Sequence, residues 1–189
     1  TKFGIKQISR TNKPGLKSLT FVSGLMGKDI GTGQVVFILA PRINAEGRLG
    51  DAEMAIKLLT TKDERIAADI ARKLDKENQR RKYIDEKTLN EALEQIRQVV
   101  DLNNDRAIIL ASEGWHQGVI GIVASRLVER YCRPAFVLGG DAETGLAQGS
   151  GRSIHAFSLV EALETMPELF ERFGGHHMAA GVTLHASRV

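Results

Sequence analysis

Apolar positions along the chain change period twice, and the changes divide it into three segments. From Lys62 to Val100 neither Gly nor Pro occurs, and Ile66, Ile70 and Leu74 recur at helical spacing, followed by Ile84, Leu89, Leu93, Ile96 and Val100. The pattern predicts one helix of about 40 residues over 61–100, roughly 60 Å long at about 1.5 Å per residue. Thr60 or Thr61 is the expected N-cap, with Asp63 and Glu64 in the first turn, where the helix dipole favours acids. Asp75 to Lys82 carries no apolar side chain, so the seam is broken. A coiled coil keeps its seam throughout. Apolar ends and a polar middle suit a connector that bridges two bodies across solvent.

The flanking segments read differently. Residues 1–60 hold turn formers at Asn12 to Gly15 and Gly31 to Gly33, an apolar run from Val35 to Leu39, and Ala52, Ala55, Ile56 and Leu59 at helical spacing. This segment reads as the end of a domain. Residues 102–189 read as a small α/β domain. Arg106 to Leu110 is a buried strand candidate, Val119 to Tyr131 a helix stopped by Arg133-Pro134, and Ala135 to Leu138 the next strand. Strand, helix, strand in that order predicts a βαβ unit with a right-handed crossover. Thr144 to Arg152 follows as a strand ending in a tight loop, and Phe157 to Met166 as a helix stopped by Pro167.

Composition adds a few bounds. Hydrophobic residues make up 42% of the 189, enough for a packed core, but aromatics are only 5%, so that core rests on Ile, Leu, Val and Ala. Cys132 is the sole cysteine, which excludes an internal disulfide and suits a reducing cytoplasm. No apolar run approaches the roughly 20 residues of a membrane span. The chain opens on Thr1 and closes on Val189, and both ends read as cuts in a longer protein. Net charge is only +3, but it is uneven. Residues 1–60 carry nine Lys and Arg against four Asp and Glu, whereas 101–189 carry seven against ten. A basic front is a feature of phosphate-binding surfaces and equally of ordinary solvated faces.

Four constellations offer chemistry. Gly149-Ser150-Gly151-Arg152-Ser153 reads either as a loop whose backbone N–H groups and guanidinium converge on an anion, or as a hairpin turn with an incidental Arg. Gly174-Gly175-His176-His177 before Met178 to Gly181 reads as a glycine turn opening a short small-residue helix, whose N-terminus would bind phosphate, or as a structural turn. His155, His176, His177 and His185 do not have zinc spacing. Glu113 to Gly121 opens a helix directly after a strand, a common ligand position; there Trp115 reads as core, and His116 as either ligand contact or structure. Arg42-Ile43-Asn44-Ala45-Glu46-Gly47-Arg48 reads as an exposed Arg pair on a tight turn, suited to a sugar-phosphate backbone, or as a salt-bridged helix start. No segment clusters the Asp and His ligands that two-metal phosphodiester hydrolysis needs, and no G-x-S-x-G elbow is present.

Taken in order, Arg42 to Arg48, Trp115 to Leu127, Ser150 to Ser153 and Gly174 to Gly181 resemble successive motifs of the RecJ-type exonucleases of the DHH/DHHA1 phosphoesterase family. The resemblance implies an α/β fold: a small DHHA1-type domain over 102–189, preceded by a connector helix over 61–101 and, over 1–60, the C-terminal edge of a DHH catalytic domain. It implies a parent enzyme, bacterial and cytoplasmic, that hydrolyses single-stranded DNA from a 5′ end to 3′ in repair and recombination. Mn2+ or Mg2+ would be held by DHH motifs outside this chain, so the chain alone is expected to be inactive and to hold no metal. Arg42, Asn44, Arg48, His116, Ser150, Gly151, Arg152, Gly174, Gly175 and His176 would bind the terminal phosphate and nearby backbone. No residue is assigned a catalytic role outright, and His176 alone is a candidate at the scissile phosphate. Single-strand-binding protein or a helicase would be a further partner, and no membrane is implied. Two alternatives remain: a small DHH/DHHA1 phosphodiesterase acting on oligoribonucleotides or cyclic dinucleotides, and a non-catalytic docking module using Glu161, Glu164, Glu168 and Glu171.

Overall fold

The computed structural model describes residues 2–49, 53–141 and 143–189; Ala52, read above as part of a helical repeat, lies outside them. Two units divide the chain, Thr1–Lys82 and Tyr83–Val189. The first is all helical: α1 (Lys2–Ile8), α2 (Pro14–Val22), a single turn α3 (Thr32–Gln34), a π-helical turn (Val35–Leu39), α4 (Ala40–Leu49), α5 (Glu53–Thr60) and the first half of α6 (Glu64–Val99). Pro14 starts α2, where its missing N–H is no loss. Gly15 lets α2 meet α5 backbone to backbone, since a Cβ there would lie 1.8 Å from the Leu58 carbonyl oxygen. The π turn has a local cause. Pro41 cannot donate and its ring crowds the carbonyl four residues back. The wider turn before it, with the Ala40 N–H donating to Val35 O, keeps the helix running past it. Leu19, Leu39, Leu58, Ile70 and Leu74 form the core of this unit.

Helix α6 is the uninterrupted rod that the pattern predicts, 36 residues long, with different details. Asp63, expected in the first turn, is itself the cap: its Oδ1 accepts from the N–H of Arg65 and of Ile66 at 2.8 and 3.0 Å. Thr61 instead accepts from the Asp63 N–H. Ile66 is 41% exposed, and the buried stripe runs through Ala67, Ile70, Ala71 and Leu74. Ala67 and Ala71 are wholly buried in the core of the first unit. Nor is the polar middle uniformly solvated, since Asn78 is 1% exposed and accepts from Arg81 Nη2.

The second unit is α/β, as the alternation of elements predicts. Its order is β1 (Ile108–Ser112), α7 (Gln117–Tyr131), β2 (Ala135–Asp141), β3 (Leu146–Arg152), α8 (Leu159–Glu164), β4 (Arg172–His176) and β5 (Ala179–His185). The strands lie in the order β1-β2-β3-β5-β4. β1 and β2 are parallel across α7, and every other pair is antiparallel. One face of β1 and β2 offers Ile108, Leu110, Ala135 and Val137 to α7 and to Ala92 and Ile96 of α6. The opposite face buries Leu138, Ala147, Ala180, Val182 and Leu184 with Leu159 and Leu163 of α8. Trp115 belongs to the first core, 4% exposed, its Nε1–H donating to Glu91 at 2.8 Å. Asp85, 4% exposed at its side chain, pairs with Arg126 at 3.1 Å.

Candidate nucleic-acid interface

The glycine motifs sit in strands, which changes what they can do. Gly149 to Arg152 lies within β3, between β2 and β5, so its backbone N–H groups belong to the ladders. The expected loop cradle is therefore absent, and the chemistry falls to side chains alone. Gly149 and Gly151 are small because of packing: a Cβ on Gly151 would lie 2.5 Å from the Phe136 ring, and one on Gly149 2.8 Å from Val182. The segment from Gly174 likewise forms no helix. It is a hairpin of β4 and β5, with His177 and Met178 between the strands, so the expected helix N-terminus does not exist. Gly175 is required there, because its Cβ would lie 2.3 Å from the Ala179 carbonyl oxygen.

Register brings the side chains together. Partnered residues of β3, β5 and β4 form three rows: Arg152, Ala179 and His176; Ser150, Gly181 and Gly174; Gln148, Thr183 and Arg172. On β2 the same rows continue as Ala135, Val137 and Gly139. One sheet face is thus apolar where α7 roofs it and polar where the roof ends. The two-residue period that buries Ala180, Val182 and Leu184 sets Ala179, Gly181 and Thr183 on the other face. Gln117 and Ile120 of α7 border the open part, a depression of about 450 Å³ lined also by Gln148, Ser150, Gly181 and Arg172.

Arg152 is half-buried, its Nη1 donating to Ser150 Oγ at 2.9 Å and to Gly151 O at 2.7 Å. Gly121 of α7 makes room for this pair, as a Cβ there would lie 2.9 Å from both Arg152 Nη2 and Ser150 Oγ. His176 is exposed, and its Nδ1 accepts from the Met178 N–H. His116 is the N-cap of α7, its Nδ1 accepting from the Gly118 N–H at 3.0 Å. Gly151 and Gly175 fall between the residues of the rows and face the other way. Arg42, Asn44 and Arg48 belong to the first unit and lie on helix α4, so the expected tight turn is replaced by a helix. Arg42 is committed within that unit, 2.8 Å from Asp75 and donating to Ile38 O; Asn44 and Arg48 are exposed. Gln148, Thr183 and Arg172 escaped the motif reading. Their signal is the alternation along Leu146 to Arg152 and Ala179 to His185, which becomes informative only with the strand register. Among the described residues, no three His, Cys, Asp or Glu are placed to hold a metal ion.

Residues 104–189 match the DHHA1 domain. Over 98% of its length the chain is 44% identical to the single-stranded-DNA-specific exonuclease RecJ of Bacillus subtilis, and over 97% it is 39% identical to that of Thermus thermophilus. It spans 23% and 25% of those relatives, about a quarter of each. The crystal structure of Thermus thermophilus RecJ with Mg2+ superposes with a TM-score of 0.84 at 36% identity, covering 98% of this chain and 28% of that one. A manganese-bound exonuclease RecJ gives 0.83 at 38%, covering 98% and 45%. The described residues of this chain do not make a donor set for such an ion.

Proposed function

We propose, from the premise that this chain is a DHHA1-bearing segment of the RecJ family, that its open sheet face grips single-stranded DNA at a 5′-phosphate. The supporting observation is the row structure of that face, where Ser150, Arg152 and His176 surround a glycine floor roofed on one side only by α7. Arg152 already orients Ser150 by hydrogen bond, so guanidinium and hydroxyl present a preformed donor pair to a phosphate. His176 stands at the far end of the same row, where it contacts the same phosphate or the next bond. His116 holds the start of α7, and with it Gly121, over the pair.

The parent protein is a 5′-to-3′ exonuclease acting in DNA repair and recombination in a bacterial cytoplasm, using Mn2+ or Mg2+ held by residues outside this chain. Residues 1–60 are the edge of its DHH domain, 61–101 the connector and 102–189 the substrate-binding domain. Asn44 and Arg48 contact the DNA backbone, and Arg42, held by Asp75, positions α4. A single-strand-binding protein or a helicase delivers the strand.

The test is binding of a short single strand, 5′-phosphorylated or 5′-hydroxylated, to the 189-residue chain at low salt. A charge-assisted contact gives roughly tenfold or more preference for the phosphate, abolished by Arg152→Ala. Equal affinity for both ends would remove the end-recognition reading. Release of nucleotides by the chain with added Mn2+ would overturn its assignment as the non-hydrolytic part.

A further inference from the structure

We propose that Arg172, with Gln148 and Thr183, forms a second phosphate subsite that takes the phosphodiester two steps along the strand from the phosphate held by Ser150 and Arg152. This deepens the reading of the open face as a DNA site and rests on it. The two cationic rows are separated by one row, Ser150, Gly181 and Gly174, and so lie about 13 Å apart, four residues along a strand. That distance is comparable to two phosphate steps of an extended single strand. Between the rows the floor is bare: a Cβ on Gly174 would meet nothing within 4 Å, and one on Gly181 only the Gly149 carbonyl oxygen at 3.9 Å. A sugar-phosphate chain can therefore descend to the sheet between the two arginines.

Charge placement points the same way. Residues 101–189 are net acidic, with ten Asp and Glu against seven cations, all of them Arg. Yet the three rows contain two arginines, a histidine and no carboxylate. Neighbouring Glu171 is engaged by His185, the next residue of β5 on that face, at 3.2 Å. Among the described residues the Arg172 guanidinium makes no hydrogen bond or ion pair, whereas Arg126 pairs with Asp85 and Arg133 donates to Leu102 O. An arginine fork beside an amide and a hydroxyl, with no acid to neutralise it, suits a phosphodiester. The rows carry no Phe, Tyr or Trp, so the contact is chiefly to backbone.

Thymidine 5′-monophosphate and 5′-phosphorylated trithymidylate separate the two subsites when titrated against the full chain over a range of salt. Arg172→Gln should weaken the trinucleotide about tenfold and reduce its salt slope by about 0.7, while leaving the mononucleotide unchanged. Arg172→Lys should restore the slope and only part of the affinity. Arg152→Gln should weaken both ligands. A trinucleotide affinity unaffected by Arg172→Gln, or an equal loss for both ligands, would overturn the second subsite and leave the first standing. Failure of the unaltered chain to bind either ligand would overturn both.

Discussion

At Gly121 the interests of stability and of binding have opposite signs. A helix interior prefers Ala to Gly by roughly 1 kcal/mol. The atoms that a new Cβ would meet are the ends of two flexible side chains, Arg152 Nη2 and Ser150 Oγ. They can move aside at little cost to the fold and at full cost to their alignment. Gly121→Ala is expected to keep or raise the melting temperature while abolishing preference for a 5′-phosphate, with Gly114→Ala, where a Cβ meets nothing within 4 Å, as the control. Gly175 behaves differently because its obstacle is backbone, the Ala179 carbonyl oxygen. Gly175→Ala should cost at least about 1–3 kcal/mol, read as a lower denaturation midpoint. None of this is legible in the residues themselves. Gly149, Gly151, Gly121 and Gly175 look alike in the sequence, and only what surrounds each separates packing from ligand access.

Among the elements, the long helix was the most legible, because the absence of Gly and Pro and a helical apolar period leave one conformation for 36 residues. Its cap was misplaced by two or three positions, since Thr60, Thr61 and Asp63 all carry capping oxygens and only geometry selects between them. Asp63→Ala should destabilise the start of α6 by about 1 kcal/mol, seen as faster amide exchange of Arg65 and Ile66, while Thr60→Ala should leave those amides unchanged. The hairpin of β4 and β5 was the least legible element. Gly174 to Gly181 offers small residues in a row, which serve a helix N-terminus and an edge hairpin equally well. The alternation that decides is carried by Ala180, Val182 and Leu184, side chains that reach the α8 core only once β5 has paired with β3.

For the molecule as a whole, the sequence yielded the α/β class and the order of the βαβ unit, because both follow from local periods. It could not yield the antiparallel insertion of β5 between β3 and β4, which depends on pairing between distant segments. No helix among the described residues is long and apolar enough to cross a membrane. The loop after α6 contributes to acid sensitivity. The Asn103 N–H and the Asn104 amide donate to the Asp101 carboxylate and hold it below its ordinary value of 3.8. Unfolded, that carboxyl titrates at its ordinary value. The loop therefore gains stability above pH 3.8 and loses it as pH falls through the lower folded value. Melting temperature should fall across that window in the unaltered chain, and less steeply in Asp101→Asn. Because the open rows hold no Phe, Tyr or Trp, homopolymers of different base are expected to bind within about threefold of one another once salt is matched. The two-residue period of β5 has a final consequence for errors. A one-residue slip would turn Ala180, Val182 and Leu184 outward and drive Gly181 and Thr183 into the core. A misthreaded molecule would be greasy outside and blind to phosphate at once, so affinity for a phosphorylated end doubles as an assay of correct strand pairing.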